Sequence, residues 1–270
     1  MLLSRSLFLI LVGFSLAPSL ALSQSFWGGD SGGHHIYWGG TDLVATNAAT
    51  KNTGFSAQIQ ADNAWRNLTR NRGDGTCSAE FGYTLASVVG PIMSFRQEEK
   101  FTCGKFASWS NGLMAINLNK STEGNPAPAH LSDYFPETAL LFALLSDSTI
   151  KTVIGEAEPK SLKELAGILI EHGMFLRNHC SYSFASAFLD HFGFYDARPA
   201  AVDVRIALSP TKGTCPGKLV ELNLELPLSN SPLQTAITSA KGEHHGILTK
   251  GLHEGGYKSF ETFIRYPRPH

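Results

Sequence analysis

Charge is scarce in this sequence. Of its 270 residues 17% are charged and 43% are hydrophobic, against about a quarter charged in an ordinary soluble protein. It also lacks an excess of either sign, with 22 Lys+Arg against 23 Asp+Glu and a formal net charge of -1. That balance gives no drive toward a phosphate backbone, so no nucleic-acid partner is expected. Gly (26) and Pro (13) stand near average usage, which argues against collagen-like structure and wholesale disorder. C-x-x-C, HExxH and mixed Cys/His clusters are all missing, so neither a metal nor another cofactor is expected. There is no internal repeat. The length suits one large domain or two small ones.

Long apolar runs are scarce too. The single strong one, Leu7 to Leu16 (LFLILVGFSL), follows Arg5 and precedes Pro18 and the small residues Ala21 and Ser23. It is shorter than the roughly 20 residues a spanning helix needs. Its flanks predict a secretory signal over 1–23, leaving a periplasmic or secreted protein with no membrane span.

Four cysteines are present, Cys77, Cys103, Cys180 and Cys215. An even number in an exported chain predicts two disulfides. Three connectivities satisfy four cysteines. The local pairing, Cys77–Cys103 with Cys180–Cys215, is the expected one, because each pair brackets one block of strand-like sequence.

Residues 24–54 are rich in Gly, Ser, Asn and Thr and predict a loosely ordered arm. A single domain is expected over 55–228. Tyr83–Phe95 and Phe106–Leu118 read as an antiparallel pair joined near Glu98–Gly104, with Gly90-Pro91 as a bulge or edge position. Two central helices follow. One starts at Pro136 and carries the stripe Leu140, Leu141, Leu144 and Leu145; the other runs from the Ser161/Glu164 capping box to Gly173. Tyr182–Leu189 reads as a strand. Val202–Leu208 and Val220–Leu226 alternate apolar and polar residues with the two-residue period of a half-buried sheet. Residues 229–270 read as a peripheral tail. The fold class is therefore α+β, an antiparallel sheet packed by two central helices and stapled by disulfides.

Gly29-Asp30-Ser31-Gly32-Gly33 is identical to the nucleophile motif of chymotrypsin-like serine proteases. There a His and an Asp lie N-terminal to the motif, and none does so here after the predicted cleavage. No catalytic residue is assigned. His34-His35 and His244-His245 could meet in space, but adjacent histidines on a strand point to opposite faces. Glu98, Glu99, Asp133, Glu137 and Asp190 are the candidates for paired acid/base work, with no spacing to support it. Asn67-Leu68-Thr69 and Asn119-Lys120-Ser121 match the glycosylation sequon. Trp109 stands in a polar stretch, SWSNG, near the expected hairpin. With Phe106 and Asn111 it forms the expected binding surface, since rings on loops serve as contact anchors.

The order of elements, with SVVGPIMSF in the first strand, LSDYFPE leading into a helix and SYSFASAFLDHFGFY before two amphipathic strands, carries a resemblance. It is similar to the extracytoplasmic domain of unknown function at the C-terminus of RsiV-type anti-sigma factors, also found beside some peptidoglycan deacetylases. The resemblance covers roughly residues 80–228. It implies a non-enzymatic envelope module that binds a cell-wall glycan such as a peptidoglycan fragment, or a lysozyme-like protein. Two further readings stay open: a periplasmic hydrolase with a carboxylate or His site, and a structural envelope protein without a small ligand.

Overall fold

A computed structural model describes residues 26–70, 77–211, 215, 218–229, 231–241, 244–257 and 261–267. The predicted signal lies outside these residues. The chain opens with a four-stranded antiparallel meander, β1 (Trp27–Ser31), β2 (His34–Trp38), β3 (Leu43–Asn47) and β4 (Thr53–Ser56). This replaces the expected arm. The glycines there are turn chemistry: Gly32 and Gly33 have φ of 56° and 81°, as a two-residue hairpin requires. Trp27, Ile36, Trp38, Leu43, Ala45 and Phe55 all turn inward. Helix α1 (Ala57–Thr69) follows, its N-cap Ser56 accepting from the Ile59 N–H. Trp65 on α1 stacks on Tyr266 at 5.3 Å.

The central sheet begins with β5 (Cys77–Val89), β6 (Ile92–Cys103) and β7 (Phe106–Asn117). Gly90-Pro91 is the turn between β5 and β6 rather than a bulge, and β6 and β7 join at Gly104-Lys105. Glu98 therefore lies within β6, not in the connection. Cys77 and Cys103 are cross-strand partners, and the disulfide between them closes the open end of the hairpin.

Helix α2 (Glu137–Ser146) and helix α4 (Leu162–His172) occupy the two segments expected to be helical, with a short α3 (Ser148–Ile154) between them. In the capping box of α4, Ser161 Oγ accepts from the Glu164 N–H. Glu164 reaches back to the Lys160 N–H rather than to that of Ser161. A small hairpin follows, β8 (Phe175–Arg177) and β9 (Cys180–Tyr182). The strand expected over Tyr182–Leu189 stops at Tyr182. Phe184 and Phe188 pack edge to face at 5.3 Å and lead into a 3-10 turn at Phe188–Asp190, a one-turn spacing rather than an alternating one. Strands β10 (Phe192–Ala197), β11 (Ala201–Leu208) and β12 (Val220–Pro227) form a three-stranded antiparallel sheet. Val202, Val204, Ile206, Leu208, Val220, Leu222, Leu224 and Leu226 are all buried, as the alternation predicts.

The segment expected as a peripheral tail contributes α5 (Ser231–Ser239), α6 (Thr249–Glu254) and β13 (Thr262–Tyr266). Strand β13 pairs with β5, giving the central sheet the order β13-β5-β6-β7. Helical packing is thus not confined to two central helices. Two cores flank the central sheet. Phe81, Tyr83, Leu85, Met93, Phe95 and Phe101 pack with the β1–β4 meander and α1. Val89, Ile92 and Ala115, on the other face, pack with β10–β12, α2 and α4.

The protein is mixed α+β with antiparallel sheets and carries both disulfides of the local pairing, Cys77–Cys103 and Cys180–Cys215. No helix among the described residues is long and apolar enough to cross a membrane. The disulfides are consistent with an exported protein.

Candidate functional site

Strand β7 is the edge of the central sheet, and it carries all three residues of the expected binding surface. Its inner half is covered. The Ser209 hydroxyl donates to Asn111 O, His191 Nδ1 lies 2.8 Å from Leu113 O, and the N–H of Ala129 donates to Ala115 O. These contacts show that the odd-numbered residues of β7 turn their backbone polar groups away from β6. The register with β6 is unbroken from Asn117 to Phe106, so the N–H and C=O of Ala107 and Trp109 also point outward. No described residue pairs with them there.

Side chains on this ribbon alternate between faces. Trp109 lies opposite Lys100, and Asn111 opposite Glu98, on one face. Phe106, 45% exposed, lies opposite Cys103 on the other face, its ring 6.1 Å from that of Phe101. The three residues therefore share an edge, not a patch. Asn111 is 5% exposed, and neither its Nδ2 nor its Oδ1 has a hydrogen-bond partner among the described residues. Its burial could not be read from a polar SWSNG stretch, because Ser209, whose hydroxyl bonds its carbonyl, lies far along the chain.

The five candidate carboxylates do not assemble. Glu98 and Glu99 are neighbours on a strand and face opposite ways. Burial pushes the Glu99 carboxyl above its ordinary value. Glu98 lies near Glu261, whose carboxyl is raised by burial first and then by the charge of Glu98. Asp133 pairs with Lys120 at 3.5 Å. Glu137 accepts from the Leu162 N–H and so ties α2 to α4. Asp190 lies 2.9 Å from His130 Nδ1 on the surface.

The GDSGG string forms the β1–β2 hairpin. Ser31 is buried, and a Cβ on Gly32 would lie 2.3 Å from backbone atoms of Gly90 and Pro91, so one turn rests directly on another. The histidine segments do meet: the Asp30 N–H donates to His244 O at 2.7 Å, and His244 Nδ1 lies 3.2 Å from Gly28 O. His34 is buried against Gly32 O, and His35 contacts the Asp30 carboxylate. No three His, Cys, Asp or Glu converge as metal ligands among the described residues. Of the sequon asparagines, Asn67 lies on α1 and Asn119 just beyond β7, both exposed.

A cleft of about 650 Å³ lies between β1, β10 and α6, lined in part by Trp27, Asp196, Lys241, Lys250 and Tyr257. Three of its charged groups, Asp196, Lys241 and Lys250, are engaged. Lys250 Nζ is 2.8 Å from Asp196, a hydrogen bond that holds the Asp196 carboxyl below its ordinary range, and Lys241 donates to Ala197 O. A carboxylate held ionised by an ammonium group is a poor proton donor at neutral pH. The chain matches no family model, no curated protein and no solved structure.

Proposed function

We propose that this chain is an exported, non-enzymatic binding module of the cell envelope, and that residues 106–110 of β7 take up an extended segment of a partner protein. One observation carries the reading: Ala107 and Trp109 offer backbone donors and acceptors at an open sheet edge, flanked by an exposed Phe106 and a half-buried Trp109. Natural proteins protect such edges with charge, proline or cover. Here the only charge at the turn is Lys105, and the covered part of the edge begins at Asn111. Strand addition uses the free ladder positions for affinity and the alternating side chains for specificity.

The resemblance to envelope modules makes a lysozyme-like protein the first partner to test, with soluble peptidoglycan fragments as the second arm. Saturable binding of a c-type lysozyme is expected, weakened about tenfold or more by Trp109→Ala. Ala107→Pro removes an outward N–H without touching the ladder to β6, so it should weaken binding equally while leaving the melting temperature nearly unchanged. If the wild-type protein binds lysozyme and Ala107→Pro has no effect, edge addition is wrong.

A second reading, a hydrolase, rests on the His130–Asp190 pair, the arrangement that orients an imidazole in acid–base catalysis. It predicts peptidoglycan or ester hydrolysis that His130→Ala abolishes.

A further inference from the structure

A second cleft, about 520 Å³, opens where β6, the β8–β9 hairpin and the start of β12 come together. Four cations line it, Arg96, Arg177, Arg205 and Lys218, against a single acid, Glu221. This concentration of positive charge stands in a protein whose net charge is -1. Glu221 is already spent on two of the four: its Oε2 is 2.8 Å from Arg205 Nη1, and its Oε1 is 3.8 Å from Arg96 Nη2. Arg177 and Lys218 have no ion-pair partner among the described residues and are exposed.

Part of this lining is held in place. The Arg205 guanidinium carbon lies 3.3 Å from the centre of the Tyr195 ring, a cation–π contact. Arg177 stands at the start of a two-residue turn whose Asn178 and His179 have φ of 52° and 65°, the left-handed pair of a tight hairpin. The Cys180–Cys215 disulfide ties the residue that follows this turn to Cys215, and the Tyr182 hydroxyl donates to Lys218 O at 3.2 Å. Gathering four like charges around one carboxylate does nothing for folding, since they repel. The volume falls within the range of small-ligand sites, and the lining adds the amides of Asn178 and Asn223.

We infer that this cleft binds an acidic sugar, with the guanidinium groups and Lys218 on its oxyanion and the amides on its hydroxyls. The oxyanion is a carboxylate or a phosphate on the sugar. This site shares no residue with the β7 edge and does not rest on the reading given for it.

The test is calorimetric titration of the full oxidised chain at low salt with digalacturonate, glucose 6-phosphate and neutral cellobiose. At least one acidic probe should bind saturably and cellobiose should not. Affinity should fall about tenfold or more in the double variant Arg177→Gln/Lys218→Gln. Both side chains are exposed, so the variant should stay folded, which its thermal melt checks. Trp109→Ala should leave this binding unchanged. Preference for digalacturonate assigns the carboxylate, and preference for the phosphate assigns the phosphomonoester. Failure of both acidic probes to bind, equal binding of cellobiose, or full affinity in the double variant would each overturn the inference.

Discussion

Two residues show how backbone and burial set the local energetics. Gly32 and Gly33 both adopt left-handed backbone, yet their surroundings differ. A Cβ on Gly32 would lie 2.3 Å from backbone atoms of Gly90 and Pro91, whereas one on Gly33 would meet nothing within 4 Å. Gly33→Ala should therefore cost about 1 kcal/mol for its φ alone, and Gly32→Ala about 3 kcal/mol or more, because two turns must separate. Urea unfolding of both variants measures the difference, and equal losses would contradict the turn-on-turn contact. Glu99 poses the opposite problem, a carboxyl whose ionised form is disfavoured by burial. Its folded-state pKa lies above the unfolded one, so its charge opposes folding at neutral pH. That penalty disappears as the pH falls through the raised value to about 4. Glu99→Gln should accordingly melt higher than the wild type at pH 7 and lose this advantage in acid, as paired thermal melts would show.

Among the elements, β13 carries more than its five residues suggest. Ile264 and Tyr266 are buried, the Tyr266 hydroxyl contacts Asp62, and its ring stacks on Trp65 of α1. Ending the chain at Tyr257 removes the buried side chains of Thr262, Ile264 and Tyr266 and the docking surface of α1, a loss of about 5 kcal/mol from Ile264 and Tyr266 alone. The truncated protein should lose cooperative unfolding by calorimetry, and retention of a wild-type transition would show that β13 is dispensable. Elements were legible in the sequence in proportion to the length of their pattern. β11 and β12 alternate over eight residues each, and their register is complete from Ala201 opposite Pro227 to Leu208 opposite Val220. The strands β1–β4 are four or five residues long and separated by glycine and asparagine, so the inward set Trp27, Ile36 and Trp38 is masked by turn composition. β13 is hidden for another reason. Its buried residues are Thr262, Ile264 and Tyr266, two of them with a hydroxyl, and its partner strand lies far away in the chain.

For the whole molecule, the central sheet lies between two cores, and both proposed sites fall where neither core covers it. The two rings on the outer half of β7, Phe106 and Trp109, were visible in the sequence as aromatics in a polar stretch. The basic cleft was not. Arg96, Arg177, Arg205 and Lys218 each stand alone in the sequence, and only the meeting of three separate sheets brings them together. Conversely, the GDSGG motif was visible in the sequence, and the structure uses it as a hairpin turn.

The pairing of β13 with β5 also bears on how the protein is made. Arg265 and Glu80, hydrogen-bonded across these strands, are 185 residues apart. A chain synthesised from its N-terminus exposes the outer side of β5 until β13 emerges. Through that interval Ala79, Phe81 and Tyr83 stand on an unfinished edge, open to pairing with a neighbouring copy. Such a distant closure makes folding slow, and the yield of native protein should depend on chaperones that hold the chain apart until β13 has emerged.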